Sequence, residues 1–257
     1  MSHLPQKLGV IHFIGIGGIG MSGIAEILIQ SGYLVQGSDI KISDNTNRLK
    51  KIGVTIFIGQ KSSNITNAKI IVISTAITNT NAELIAAKKM FLPIVHRAEM
   101  LGELMRLKQS IAVAGTHGKT TTTSLISRII EQNGMDPTII NGGIISSLGS
   151  NAKLGGGEWM IVEADESDGS FAKLNPTVAV VTNIDLEHLD HHGNEKNLEH
   201  AFFNFVSSIP FYGFICLCID HPRVQKLISK LENKKIITFG LSTNADVRAT
   251  NIMYKNN

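Results

Sequence analysis

The chain has 257 residues, of which 43% are hydrophobic and 18% charged, with a net charge of +3. This is enough for one large or two ordinary domains with a sizeable core. The basic residues fall in scattered pairs (Lys50-Lys51, Lys88-Lys89, Lys234-Lys235), a solvated surface rather than a tract that binds nucleic acid by charge. No apolar run approaches the roughly 20 residues of a membrane helix, and Met1 to Lys7 lacks the apolar core of a signal peptide. The two cysteines, Cys216 and Cys218, alternate along one apolar run and form no disulfide framework, which fits a reducing, cytoplasmic setting.

Short apolar runs alternate with helical segments. Val10–Ile14 predicts a strand, followed by a glycine-rich turn and a helix to about Ser31. Val35–Gly37 predicts a second strand, ending at Ser38-Asp39. A short helix is expected from Arg48 to Lys51, strands at Thr55–Ile58 and Ile70–Ser74, a helix from Asn81 to Met90 and a short strand at Ile94–Val95. Arg97 to Leu107 predicts a helix, and the cycle restarts with a strand at Ile111–Ala114 and a helix from Thr122 to Gln132. Asn141 to Gly157, rich in Gly and Ser, reads as a loop. Strands follow at Met160–Val162, Val178–Thr182, Phe214–Ile219 and Ile236–Thr238, with helices at Leu198–Ser208 and His221–Leu231. The β-α-β alternation predicts an α/β fold: a Rossmann-like parallel sheet domain over 1–107, then a partial P-loop NTPase-like α/β domain over 108–257.

Two glycine loops stand at equivalent places in this pattern. After the first strand, Gly15, Gly17 and Gly20 fit G-x-G-x-x-G, with Gly18 and Ile19 inside the loop and Asp39 near the place expected to contact a ribose. Such a loop admits a diphosphate to backbone N–H groups at a helix N-terminus; NAD, FAD and a UDP-sugar all carry one. After the strand at Ile111–Ala114 comes Gly115-Thr116-His117-Gly118-Lys119-Thr120-Thr121, the build of a phosphate-binding loop. Lys119 would reach the β- and γ-phosphates of ATP, and the Thr120 hydroxyl would hold Mg²⁺. The strict pattern asks for glycine where this chain has Val113.

Two polar clusters follow strands. Glu163-Ala164-Asp165-Glu166-Ser167-Asp168 leaves the strand at Met160–Val162, on the edge where α/β sheets bind ligands, with Glu163 best placed for a metal. Asn183-Ile184-Asp185-Leu186-Glu187-His188-Leu189-Asp190-His191-His192 leaves the strand at Val178–Thr182. Its spacing is no zinc pattern, and a nucleotide phosphate held by Lys119 and Thr120 calls for Mg²⁺.

Taken in order, these segments resemble the Mur ligases, the ATP-dependent amide-forming enzymes of peptidoglycan precursor synthesis. The resemblance also rests on Ser74-Thr75-Ala76-Ile77 and His96-Arg97-Ala98-Glu99-Met100-Leu101, and it spans nearly the whole chain. The family's loop is itself Gly-Thr-x-Gly-Lys-[Ser/Thr], which accounts for Val113; His117 within it is similar to the alanine-adding branch. The resemblance implies that the first glycine loop, with Asp39, Ser74, Thr75, Ala76, His96 and Arg97, holds UDP-N-acetylmuramate rather than NAD. It implies that Gly115 to Thr121 and Asn183 hold ATP, that Thr120 and Glu163 bind one Mg²⁺ and His188 a second, and that His117 helps orient the carboxylate substrate. ATP would phosphorylate the lactyl carboxylate, and the amine of L-alanine would attack the acyl phosphate. Several sister ligases carry a carbamylated lysine where this chain has Phe202. The family also has a third, amino-acid-binding domain; with the chain stopping at Asn257, the resemblance implies a central domain cut short and that third domain absent or separately encoded. A murein tripeptide recycling ligase shares the architecture, the Gly15-to-Gly20 loop favouring the alanine-adding enzyme, and a non-catalytic nucleotide-binding fragment is the reading from another class.

Overall fold

A computed structural model describes residues 8–145, 149–167, 169–187 and 192–253. In chain order the elements are β1 (Val10–Ile14), α1 (Ile19–Gln30), β2 (Val35–Asp39), α2 (Asp44–Lys51), β3 (Thr55–Ile58), β4 (Ala68–Ile73), α3 (Ala82–Lys89), β5 (Ile94–His96) and α4 (Arg97–Met105). They continue with β6 (Gln109–Ala114), α5 (Lys119–Gln132), β7 (Thr138–Ile145), β8 (Ser150–Lys153), β9 (Trp159–Glu163), β10 (Val178–Val181), α6 (Glu195–Ser207), β11 (Phe214–Cys218), α7 (Pro222–Ile228), β12 (Ile236–Gly240) and β13 (Val247–Arg248). Short 3₁₀ turns cover Ser62–Ile65 and Ser170–Lys173.

Packing divides the chain into two compact units. The first combines residues up to Gln109 with Thr123–Val162; the second combines Ser110–Thr122 with residues from Glu163 onward.

The first unit contains a five-stranded sheet in the order β3-β2-β1-β4-β5. All of its pairings are parallel, as the β-α-β alternation predicts. Ile11, Phe13, Ile14 and Ile71 on its strands and Ile24 and Leu28 on α1 are fully buried, each contributing about 1.5–3 kcal/mol. Gly37 is required by close approach, because a Cβ there would sit 2.6 Å from Ile16 Cδ1 and 2.8 Å from the Phe13 carbonyl. Helix α2 starts earlier than Arg48. Ser43 caps it, its hydroxyl accepting from Thr46 N while the Thr46 hydroxyl accepts from Ser43 N.

The stretch Asn141 to Gly157 is not simply a loop. Strands β7 and β8 form an antiparallel hairpin with Ile140 opposite Ala152, and β7 also pairs in parallel with β9. The Gly/Ser composition hid it, because the hairpin's polar residues are buried and satisfied from a distance. Asn141, Ser150 and Asn151 are buried; the Ser150 hydroxyl donates to Glu26 Oε2 (2.8 Å), and Asn151 Nδ2 donates to the Ile19 carbonyl (2.7 Å).

The second unit carries parallel strands in the order β13-β12-β11-β10-β6. Ala112, Val113, Ala114, Ala179, Val181, Ile215 and Leu217 are fully buried along its middle. Phe202 on α6 is fully buried and meets Phe171 edge-on, with ring centroids 5.0 Å apart. Both cysteines lie on β11 as free thiols. Among the described residues no helix is long and apolar enough to cross a membrane.

Candidate functional sites at two glycine loops

In the first unit β1 runs into Gly15, whose φ of +79° takes the left-handed region that glycine tolerates. Gly15 N and Ile16 N both donate to the Ser38 carbonyl at the end of β2 (2.8 and 2.9 Å). Gly17 N donates to Asp39 Oδ2 (2.8 Å), and a Cβ at Gly17 would stand equally close to that oxygen. Gly18 caps α1 through its backbone alone, with no side-chain cap and no acidic residue in the first turn. The amides of Ile19, Gly20 and Met21 precede the first i→i−4 bond, made by Ser22 N to Gly18 O, so donors and the positive end of the helix dipole face outward together. Arg97 lies against this turn: a Cβ at Gly20 would meet Arg97 Cδ and Nη1 at 3.0 Å. Ser74, Thr75 and Ala76 form the turn after β4, closed by Ile77 N to Ser74 O (3.1 Å), and Ile77 Cδ1 comes within 3.5 Å of a Cβ placed on Gly15. His96 ends β5, its N–H donating to Glu99 Oε2 (3.2 Å). The residues that sequence reading assigned here thus collect at the carboxyl edge of one parallel sheet, where α/β folds bind ligands.

Glu83, on α3, is fully buried beneath this loop. It accepts from Ser38 Oγ (2.5 Å) and Asn64 Nδ2 (2.6 Å) and meets His12 Nε2 at 3.3 Å. Burial pushes its carboxyl up, but the bonds from His12, Ser38 and Asn64 outweigh that and leave it below the ordinary carboxylate range.

In the second unit β6 runs into Gly115 at φ +138°, and a Cβ there would collide with Thr182 Oγ1 and crowd the Asn183 backbone, so only glycine fits. The loop is fastened to the segment leaving β10. Asn183 Oδ1 accepts from His117 N (2.8 Å), and Asn183 Nδ2 and Thr182 Oγ1 both donate to His117 O (2.9 and 2.7 Å). Thr116 N donates to Asn183 O (3.2 Å), and Asp185 N to Thr116 Oγ1 (2.8 Å). Asn183, expected beside the nucleotide, therefore holds the loop's backbone.

Lys119 opens α5, with its ammonium folded back into the loop. It donates to Gly115 O (2.7 Å) and Thr116 O (3.1 Å) and pairs with the Glu166 carboxylate at 2.9 and 2.8 Å. Glu166 is 2% exposed; burial raises its pKa against the opposing pull of Lys119. Sequence reading placed Glu166 in an acidic cluster without giving it this partner. His192 donates from Nε2 to the Glu166 carbonyl (2.9 Å), a structural use.

The imidazole of His117 is exposed and has carboxylates on one side: Asp185 Oδ2 at 3.6 Å and Glu187 Oε1 at 3.4 Å. Asp185 also meets His221 Nε2 at 3.1 Å. His221 was missed, since nothing local marks a residue that caps the short helix α7 as a partner of Asp185. Glu163 is the last residue of β9, and the next amide, Ala164 N, donates to Val113 O (2.9 Å), which sets the strand end beside the root of the loop. Thr120 follows Lys119 in the first turn of α5. A hydroxyl and a carboxylate are the oxygen donors Mg²⁺ prefers. His188 and Asp168 lie outside the described residues. Among the described residues no group of three or more His, Cys, Asp and Glu side chains is arranged to hold a metal.

Comparison with known proteins gives these sites a context. Residues 10–109 match the Mur ligase family, catalytic domain, and residues 113–257 match the Mur ligase middle domain. The chain is 57% identical to the UDP-N-acetylmuramate–L-alanine ligase of Parvibaculum lavamentivorans, over 98% of this chain and 51% of that protein. It is 56% identical to the enzyme of the same name from Acidiphilium cryptum, over 100% of this chain and 54% of that protein. Among solved structures, UDP-N-acetylmuramate-alanine ligase from Thermotoga maritima superposes with a TM-score of 0.80 at 29% identity, covering 92% of this chain and 53% of that one. UDP-N-acetylmuramate:L-alanyl-gamma-D-glutamyl-meso-diaminopimelate ligase from Neisseria meningitides gives 0.83 at 26% identity, covering 90% and 78%. The chain spans about half the length of the curated relatives it matches.

Proposed function

Because the chain belongs to the Mur ligase family, we propose that it carries the sugar-nucleotide and ATP sites of an ATP-dependent ligase that joins L-alanine to UDP-N-acetylmuramate. The domains are residues 1–107 for the sugar nucleotide and 108–257 for ATP. The observation that carries the reading is the seat of Lys119, an ammonium lodged in a stapled glycine loop at a helix N-terminus. A second, lysine-free glycine loop in the other unit is suited to a diphosphate.

In this reading the uncapped turn of α1 and Arg97 bind the UDP diphosphate, Asp39 faces the nucleoside, and the 74–76 turn and His96 complete that edge. Lys119 exchanges Glu166 for the β- and γ-phosphates of ATP. The terminal phosphoryl group passes to a lactyl carboxylate oxygen and ADP departs. The free amine of L-alanine then attacks the acyl carbon, and the tetrahedral intermediate expels inorganic phosphate. Charge gathers on phosphoryl oxygens throughout, so fixed cations and amides contribute most of the stabilisation. Thr120, Glu163 and His188 would hold Mg²⁺, which neutralises phosphate charge when bound. His117, held through its backbone, orients the carboxylate substrate. Acting on soluble nucleotides, the protein works in the cytoplasm. In this reading L-alanine is bound by the third, amino-acid-binding domain that the family resemblance implies.

Calorimetric titration of residues 1–257 tests the reading. UDP-N-acetylmuramate and a non-hydrolysable ATP analogue are expected to bind independently, and Lys119→Ala to lose the ATP analogue alone. Loss of the sugar nucleotide in that variant would reverse the assignment of the two loops. Alanine-dependent phosphate release is expected only when the downstream half of a relative is supplied; release by 1–257 alone refutes that division of labour.

A further inference from the structure

We propose that Arg48 is a positioning residue for the first glycine loop, acting through two asparagines to fix two of its peptide planes, one that closes the turn and one whose N–H faces outward. The proposal rests on the reading that this loop binds the UDP diphosphate. Arg48 is on α2 and only 18% of its side chain is exposed. Each of its three guanidinium nitrogens has its own acceptor: Nε donates to Glu26 Oε2 (3.1 Å), Nη1 to Asn45 Oδ1 (2.9 Å) and Nη2 to Asn151 Oδ1 (2.7 Å). Each asparagine then donates its amide to one loop carbonyl. Asn45 Nδ2 reaches Gly17 O (2.8 Å) and Asn151 Nδ2 reaches Ile19 O (2.7 Å).

The peptide unit is planar, with C=O and the following N–H pointing opposite ways. A hold on Gly17 O therefore fixes the plane whose Gly18 N–H closes the turn onto Gly15 O (3.2 Å), and a hold on Ile19 O sets the direction of Gly20 N–H, an uncapped first-turn donor. Gly17 is gripped from both sides, its N–H by Asp39 and its C=O by Asn45. The hairpin β7–β8 delivers Asn151, and it reaches α1 because Gly23 has no side chain: a Cβ there would sit 2.7 Å from Asn151 Nδ2. Ser150 shares Glu26 with Arg48, so the hairpin touches the brace twice. Lysine could keep the charge and the Glu26 pair, but it cannot fork to two amides.

The test uses Arg48→Lys, Asn45→Ala and Asn151→Asp in residues 1–257. Asn151→Asp keeps an acceptor for Arg48 and removes the donor to Ile19 O. Each variant is expected to weaken UDP-N-acetylmuramate binding about five- to tenfold and to leave affinity for the ATP analogue unchanged. Amides 18–21 are expected to exchange hydrogen faster in each, with β4 unaffected. Unchanged sugar-nucleotide affinity overturns the proposal, as does an equal loss of both nucleotides, which would mean general loosening. If the parent chain binds no UDP-N-acetylmuramate, the functional reading fails on its own; unaltered exchange at 18–21 in Arg48→Lys would separately sink the brace.

Discussion

The two glycine loops share a plan, strand then glycine turn then helix, and use it in opposite ways. In the loop at 15–20 the amides of Ile19 and Gly20 lie ahead of the first helical bond, with Arg97 alongside and no cation inside the turn. The loop at 115–120 contains its cation, already neutralised by a buried carboxylate. On the proposed reading, the first would take a diphosphate without rearrangement, and the second would trade an internal anion for an external one. The same strand-turn-helix plan thus leaves first-turn amides open in one unit and encloses an ion pair in the other.

The largest effect expected from breaking this contrast comes from the exchange pair. Removing Lys119 strands Glu166 in a buried position, where losing one partner of an ion pair costs about 3–5 kcal/mol. Lys119→Ala should therefore lower the melting temperature clearly at neutral pH, and adding Glu166→Gln should restore most of the loss; a double variant as unstable as the single one would show that the pair is not coupled.

Next come the glycines. Gly115→Ala places a side chain at φ +138° against Thr182 and should destabilise by roughly 2–3 kcal/mol in chemical denaturation. Gly20→Ala sits in a helix and meets only the flexible end of Arg97, so stability should change by less than about 1 kcal/mol. Its cost should fall instead on sugar-nucleotide affinity, measurable by titration. Equal stability losses at the two positions would erase the distinction.

The smallest effect separates two of the buried glutamates, Glu83 and Glu166. Glu83 has a lowered pKa, so the stability it contributes is present above the ordinary carboxylate range and fades as pH falls through its folded pKa. Glu166 has a raised pKa, so its contribution is complete below that range and is lost as pH rises through its folded pKa. Thermal melts against pH should show Glu83→Gln becoming more harmful, relative to the parent, with rising pH, and Glu166→Gln becoming less harmful. Parallel curves would contradict one of the two assignments.

Much of this arrangement was legible in the sequence, because both loops are signalled locally: apolar strands such as Val10–Ile14 and Ile111–Ala114 run straight into glycines. The parallel pairing of the first unit's five-stranded sheet followed from the β-α-β alternation for the same reason. What escaped was long-range. The hairpin β7–β8 looked like a loop because Asn141, Ser150 and Asn151 are polar, and only their distant partners make burial tolerable. Gly23 lies outside the G-x-G-x-x-G pattern, and nothing local marks that its lack of a side chain admits Asn151. The pairing of Lys119 with Glu166 and of Asp185 with His221 joins residues far apart in sequence, and neither motif names its partner.

The staple on the second loop has an evolutionary consequence. Asn183 and Thr182 bind residue 117 solely through its N–H and C=O, while the exposed imidazole meets the carboxylates of Asp185 and Glu187. Position 117 is in effect an interchangeable mount: the main chain is clamped, and whatever side chain it carries can be swapped without rebuilding the turn. A single codon change there could alter what the loop shows to solvent, leaving the main-chain clamp untouched.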